Sequence, residues 1–321
     1  MTTISTRTTI AASSAVALVV LAAGAGLANQ PAGPATLDAL AWAGTLPWQD
    51  AGEPAPELHY GPNVKVGNGT VRSYVRLDPQ HDSVPLEIGV AMSEGAMEGL
   101  PAPVALKPEE MHKEPNPNMH MWVLELPARN PTPYQFVQFG WNPAGHEPQG
   151  VYDKPHFDFH FWTAPVDVMN SIMPSDPRYG EKAASYPAEE HRMPFYVDAA
   201  TAAKISAAQA NVPMMGMHWL DVRSPELQGL AGHPEQFKPF TTTFLHGSWD
   251  GQFVFHEPMI TRDYILAKRA ARDPAVRNEV IPLPVAKRYQ PAGYYPAAYR
   301  IAWDGRAGEY RVALTELAHR D

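Results

Sequence analysis

Proline punctuates this chain so densely that long helices have little room. Thirty-four of its 321 residues are proline and 23 more are glycine. Proline lacks an amide donor and breaks helix interiors, so the stretches between these residues favour short elements. Within several of those stretches the side chains alternate in character. "TVRSYVRL" sets Val71, Ser73 and Val75 against Arg72, Tyr74 and Arg76, and "PHFDFHFW" sets His156, Asp158 and His160 against Phe157, Phe159 and Phe161. A period of two is the period of a strand, whose side chains point to opposite faces in turn.

The same reading predicts strands in "PLEIGVAMS", "MHMWVLELP", "YQFVQFGW" and "MMGMHWLDV". It predicts a hairpin in "TTTFLHGSWDGQFVFHEPMIT", turning at Ser248 to Gly251, and a last hairpin in "YRIAWDGRAGEYRVALTEL". Two helices stand out, "DAATAAKISAAQAN" after Asp198 and "TRDYILAKRAARDP" before Pro274, and residues 174–194 read as a long surface excursion. The expected fold is mainly β, an antiparallel sandwich or distorted barrel with a few short helical insertions.

Residues 1–28 carry one charge, Arg7, ahead of the apolar run "IAASSAVALVVLAAGAGLA", and end in Gly26, Leu27 and Ala28. A basic start, an apolar centre and a small-x-small end are the parts of a signal peptide. The competing reading is an uncleaved anchor, but "NQPAGPA" is a weak stop signal. The expected order is a signal peptide (1–28), a flexible leader (29–57), a β-rich main domain (58–274) and a C-terminal extension with a hairpin (275–321). An exported protein, periplasmic or extracellular, follows, with no stable membrane insertion after cleavage.

There is no cysteine. Disulfides, thiolate ligands, cysteine nucleophiles and haem attachment through cysteine are therefore excluded. The formal charge is −9, and loss of Arg7 with the leader takes it to −10, which disfavours nucleic acid as a partner. A metal ion or a small-molecule substrate fits better, and a homo-oligomer is compatible with the sequence. No phosphate loop, dinucleotide fingerprint, HExxH or GxSxG motif occurs.

What remains is histidine. On one strand face His156 and His160 offer imidazoles to an ion, with Asp158 between them as a further ligand, or as the catalytic group that orients a ligand ring or accepts a proton. His218, in "MGMHWLD", is a third imidazole on an apolar strand. Glu257 closes "GQFVFHE" on the expected face of Phe253 and Phe255, where an unpaired carboxylate would be costly to bury. His156, His160, His218 and Glu257 together form the expected metal set, with Asp158 as the catalytic residue. Zinc is favoured, with copper and iron as alternatives. His246, His256, His120 and His146 are reserves. Met119, Met121, Met214, Met215 and Met217 lie near histidines, as copper handling would want, but methionine also fills cores. Trp122, Trp141, Trp162, Trp219 and Trp249 suit either a ligand pocket or the core.

The segments "GHEPQGVYDKPHFDFHFW", "HW" and "TTTFLHGSWDGQFVFHEPMIT", with the leader, resemble an uncharacterised family of secreted bacterial proteins. The resemblance implies one domain over roughly residues 60 to 270 that holds both the HxDxHF and the EPMIT segments, and it transfers no catalytic assignment. The pattern departs from that of two-motif cupins. HxDxH stands in place of HxH and the carboxylate comes about a hundred residues later, so cupin chemistry is only an analogy. The expected function is an exported metal-binding protein, with a mononuclear metal enzyme activating water or a small substrate as its catalytic form. The alternatives are a non-catalytic envelope protein binding metal or a small ligand, and a structural protein with no metal.

Overall fold

The alternating stretches become strands, and two sheets collect them. The computed structural model describes residues 57–105 and 118–321. The expected signal peptide, the leader up to residue 56 and the loop carrying Pro115 and Pro117 lie outside the described residues. Strands β1 (Leu58–Tyr60), β2 (Val64–Val66), β3 (Gly69–Leu77) and β4 (Pro85–Ser93) begin the first sheet. The second is built by β5 (His120–Glu125), β6 (Phe136–Asn142), β7 (His156–Trp162), β8 (Tyr196–Asp198), β9 (Met217–Asp221), β10 (Thr242–Trp249) and β11 (Gln252–Thr261). The chain then returns to the first sheet with β12 (Asn278–Pro282), makes β13 (Gly293–Tyr295), and adds β14 (Ala298–Asp304) and β15 (Glu309–Thr315). A final β16 (Ala318–Arg320) pairs with β13 as a two-stranded ribbon.

The first sheet runs β1-β3-β4-β15-β14-β12, with β2 beside β3, and the second runs β5-β6-β7-β11-β10-β9-β8. Pairing is antiparallel throughout, and neither order closes on itself, so the architecture is a sandwich and not a barrel. The segment expected as a C-terminal extension supplies three strands of the first sheet, with β15 hydrogen-bonded directly to β4.

Alternation decides what fills the sandwich. Val71 and Val75 of β3, Ile88, Val90 and Met92 of β4 and Val312 and Leu314 of β15 meet Val137, Phe139, Phe157, Phe159, Phe161 and Ile260 from the second sheet in one buried cluster. The three phenylalanines of "HFDFHFW" thus face the first sheet, and every residue of β7 is buried. Its other face is buried too, because the insertions fold over it. Helices α1 (Val166–Ser171) and α2 (Tyr179–Ala184) place Met169, Ile172, Tyr179 and Ala183 against Phe136, Trp162 and Phe255. Residues 174–194, expected as a surface excursion, therefore cover the outer face of the second sheet in part.

The helix expected over residues 198–211 is two short ones, α3 (Ala199–Ala203) and α4 (Ala207–Ala210). Asp198 caps α3 as expected, accepting from the Thr201 amide, but Lys204 takes a left-handed conformation with φ 55° and ends the run. Ser206 then starts the second helix with a capping box to Gln209. The expected helix after Thr261 forms as α5 (Arg262–Ala270). Among the described residues, no helix is long and apolar enough to cross a membrane.

Candidate metal centre

The outer face of the second sheet carries a polar band between two apolar clusters. One cluster holds Trp162 and Phe255, and the other holds Tyr152, Leu220, Phe240, Leu245 and Met259. Strand register composes the band. β6 and β7 pair Gln138 with His160, Gly140 with Asp158 and Asn142 with His156. β7 and β11 pair Phe161 with His256 and Asp158 with Met259, which sets Glu257 across from His160. β9 and β10 pair His218 with Gly247, and Gly247 in turn pairs with Phe255. Gly247 is required at that crossing: a Cβ there would lie 2.0 Å from the Phe255 ring. The bare backbone admits Phe255, whose ring packs 4.8 Å from that of His160 and 5.4 Å from that of His218.

A shift of register at Gly247/Ser248 pairs Phe253 with Ser248 and Phe255 with Gly247, so Val254 is extra. Phe253 consequently turns to the inner face, where it packs on His246 and Trp219, and only Phe255 shares the face of Glu257. The expectation of a common face for Phe253, Phe255 and Glu257 therefore fails at the bulge.

The six polar groups divide into two sets. One ligand atom from each of His160, His218 and Glu257 lies within 4.8 Å of the others, and the same holds for His146, His156 and Asp158. In the first set His160 Nε2 is 3.3 Å from Glu257 Oε1 and His218 Nε2 is 3.5 Å from Glu257 Oε2. In the second, His156 Nε2 is 3.3 Å from Asp158 Oδ1. His160 Nε2, Glu257 Oε2, His156 Nε2 and Asp158 Oδ1 are all buried and none makes an aligned hydrogen bond, although His156 and Asp158 are close enough to interact.

Of the residues expected to share one ion, His160, His218 and Glu257 are brought together, and His156 is not with them. It joins Asp158 and the reserve His146. The physical reason is spacing. His156 and His160 are four residues apart, about 13 Å along an extended strand, whereas neighbours on one face are about 7 Å apart. Asp158, expected to orient a ligand or accept a proton, contacts His156 and lies within electrostatic reach of His160 and Glu257. The other reserves lie elsewhere. His246 and His256 are paired across β10 and β11 on the inner face, with rings 4.9 Å apart and His256 Nδ1 3.0 Å from the Tyr134 hydroxyl. His120, on β5, pairs with the core residue Trp141 of β6. Met119, Met121, Met214 and Met215 pack in the outer apolar cluster. Trp141 and Trp219 lie in the inter-sheet core, Trp162 and Trp249 in the outer cluster.

Backbone carbonyls fix the tautomers. The Nδ1–H of His160 donates to the Gln138 carbonyl at 3.3 Å, that of His156 to Lys154 at 2.7 Å and that of His146 to Glu147 at 2.8 Å. A carbonyl only accepts, so in the neutral rings Nε2 keeps its lone pair. His218 has a backbone hydrogen bond with Gly216. Burial drives His160 down to about 4 and His218, with help from His160 and His146, down to about 3, so both rings are neutral at neutral pH. Burial, reinforced by the Asp158 charge, pushes the Glu257 carboxyl well above the usual range. Burial pushes Asp158 up too, but His156, His146 and His160 outweigh it and hold that carboxyl well below its ordinary value.

The fit to a metal is a matter of distances. Two ligand atoms about 2.0–2.1 Å from a tetrahedral ion lie about 3.3 Å from each other. The separations of 3.3 and 3.5 Å in the first set are each near that edge, one to either oxygen of the Glu257 carboxyl. Two imidazole nitrogens and a carboxylate, one short of four ligands, are chemistry that zinc accepts.

Comparison with known proteins adds a likeness over part of the chain and no function. No curated protein and no solved structure matches the chain. Residues 81–141, which span β4 to β6, match the model of a family described as TTHB210-like, Hypothetical protein TTHB210. Over residues 81–141 the chain is similar to an uncharacterised family; the match ends before β7, so the HxDxHF and EPMIT segments lie outside it.

Proposed function

We propose that this chain is an exported metal-binding protein whose His160, His218 and Glu257 hold one transition-metal ion, zinc before copper or iron. The observation that carries the reading is the pair of contacts at 3.3 and 3.5 Å between imidazole Nε2 atoms and one buried carboxylate, with no hydrogen-bond geometry to account for His160 Nε2. Unpaired buried polar atoms are costly, and a cation on the lone pairs removes that cost. The carbonyl on His160 Nδ1 gives the outer support that metal-bound histidines commonly have. Bound there, an ion supplies Lewis acidity and a bound water of lowered pKa.

Burial favours binding over turnover. The His160 and Glu257 side chains are 1% and 2% exposed, and His218, at 15%, is the solvent side of the set. The catalytic version rests on a different observation, that the set is one ligand short of a closed tetrahedron, as catalytic zinc sites are. In that version Asp158 is the nearby carboxylate for orientation or proton transfer, and a small molecule reaching the fourth position is the substrate.

The test is zinc titration against a chromophoric competitor, on protein produced with its own leader and recovered from the periplasm. His160→Ala and His218→Ala should each weaken binding tenfold or more while far-UV circular dichroism stays that of the wild type. A folded wild type that takes up no zinc, or variants that bind as tightly as it does, would end the reading.

A further inference from the structure

The set beside the first one repeats its chemistry. His146, His156 and Asp158 again offer two imidazoles and one carboxylate, with one ligand atom from each inside 4.8 Å. We infer that this set is a second metal site, so that the chain carries a pair of ions side by side under the outer face of the second sheet. The inference rests on the reading of the first set, because the two share one buried band.

Four observations carry it. First, His156 Nε2 and Asp158 Oδ1 are 3.3 Å apart, the tetrahedral edge again, and the contact between them is not an aligned hydrogen bond. A simple buried ion pair would close that gap with an aligned N–H···O bond. Second, everything else on these two side chains is already engaged. Asn142 Nδ2 donates to Asp158 Oδ2 at 2.6 Å, and His156 Nδ1 donates to the Lys154 carbonyl. The free atoms are thereby held towards each other. Third, a dedicated loop delivers His146. Gly145, at φ +73°, packs so closely that a Cβ would lie 2.2 Å from the Tyr152 carbonyl, and the His146 amide donates to that same carbonyl at 3.2 Å. The turn brings the His146 ring to 4.7 Å from that of His156. Fourth, Phe240 packs 5.5 Å from the His156 ring and 5.0 Å from Tyr152, so the set is walled by apolar groups, where a bare carboxylate beside two imidazoles is poorly solvated.

The strand explains why the two sets adjoin without merging. HxDxH on one face gives His156 and Asp158 to one set and His160 to the other, and Asp158 stands between them.

Equilibrium dialysis against zinc, with elemental analysis, counts ions per chain in the full-length mature protein. Cobalt(II) absorption reports the coordination of each site. The wild type should hold two ions, His156→Gln one, His218→Ala one, and the double variant none. His146→Gln, altered in a loop, repeats the His156→Gln result should the strand variant misfold. A wild-type count of one that His218→Ala abolishes and His156→Gln leaves untouched would overturn the second site and keep the first. A count of one lost with His156→Gln and indifferent to His218→Ala would overturn the first-site reading and the pairing while leaving this set a metal site. Two ions that neither variant removes are adventitious surface zinc, and they overturn both readings, as does a count of zero.

Discussion

Glu87→Gln tests whether the C-terminal strands are integral to the sandwich. Glu87 lies on β4, fully buried, and its carboxylate ties three strands together. Arg76 from β3 donates to its Oε2 at 3.0 Å, and Arg300 from β14 and the Tyr74 hydroxyl both donate to its Oε1. Burial alone would raise the carboxyl, but Arg300 and then Arg76 override it and bring it down from 4.5 to about 2. At about 1.4 kcal/mol per pKa unit, that depression is worth about 3 kcal/mol. The sign follows from the direction. A depressed folded value means the contribution is complete above pH 4.5, the unfolded value, and is lost as the pH falls through about 2. Glu87→Gln keeps the shape and removes the charge that the Arg76 and Arg300 guanidiniums both contact. Urea unfolding followed by tryptophan fluorescence, in chelator so that metal plays no part, should show a loss of about 3 kcal/mol at pH 6 that narrows steadily below pH 4.5. A variant within about 0.5 kcal/mol of the wild type at pH 6, or a gap that persists unchanged at pH 2, would refute the argument.

Two smaller expectations concern the site and the leader. Gly247→Ala puts a methyl where the Phe255 ring lies, so it should cost about 1–3 kcal/mol in thermal unfolding and weaken zinc binding; unchanged binding would remove Phe255 as the support of His160 and His218. Secretion with the native leader should yield a mature chain beginning at Asn29 by intact mass, and a chain that keeps residues 1–28 would show that the apolar run is not removed.

Much of the fold was legible because strand periodicity is local. β7, β9 and β15 follow directly from alternation, and the hairpin of β10 and β11 turns where Asp250-Gly251 predicts, with positive φ at both residues. The broken helix at Lys204 was less legible, since every residue around it tolerates helix and the left-handed stop has no side-chain signature. Of the candidate site, His160, His218 and Glu257 were nameable from their chemistry, but only in a set that also held His156. His146 was a reserve whose signal was weak: a histidine after a glycine, in a loop ahead of the strand.

What the sequence by itself determined is everything that depends on near neighbours. It set the β class, the absence of disulfides, the two faces of "HFDFHFW" and the ligand chemistry on the polar one, because alternation and donor type are properties of a few consecutive residues. What only the tertiary structure decided is partnership. Strand register, a bulge at Gly247/Ser248 and a loop turned at Gly145 assign His156 and His160 to different companions, and β15 to a seat beside β4. The contact of His160 with Glu257 spans 97 positions and the pairing of β15 with β4 more than 200, and a strand that rises about 3.3 Å per residue keeps side chains four places apart too distant to meet at one ion.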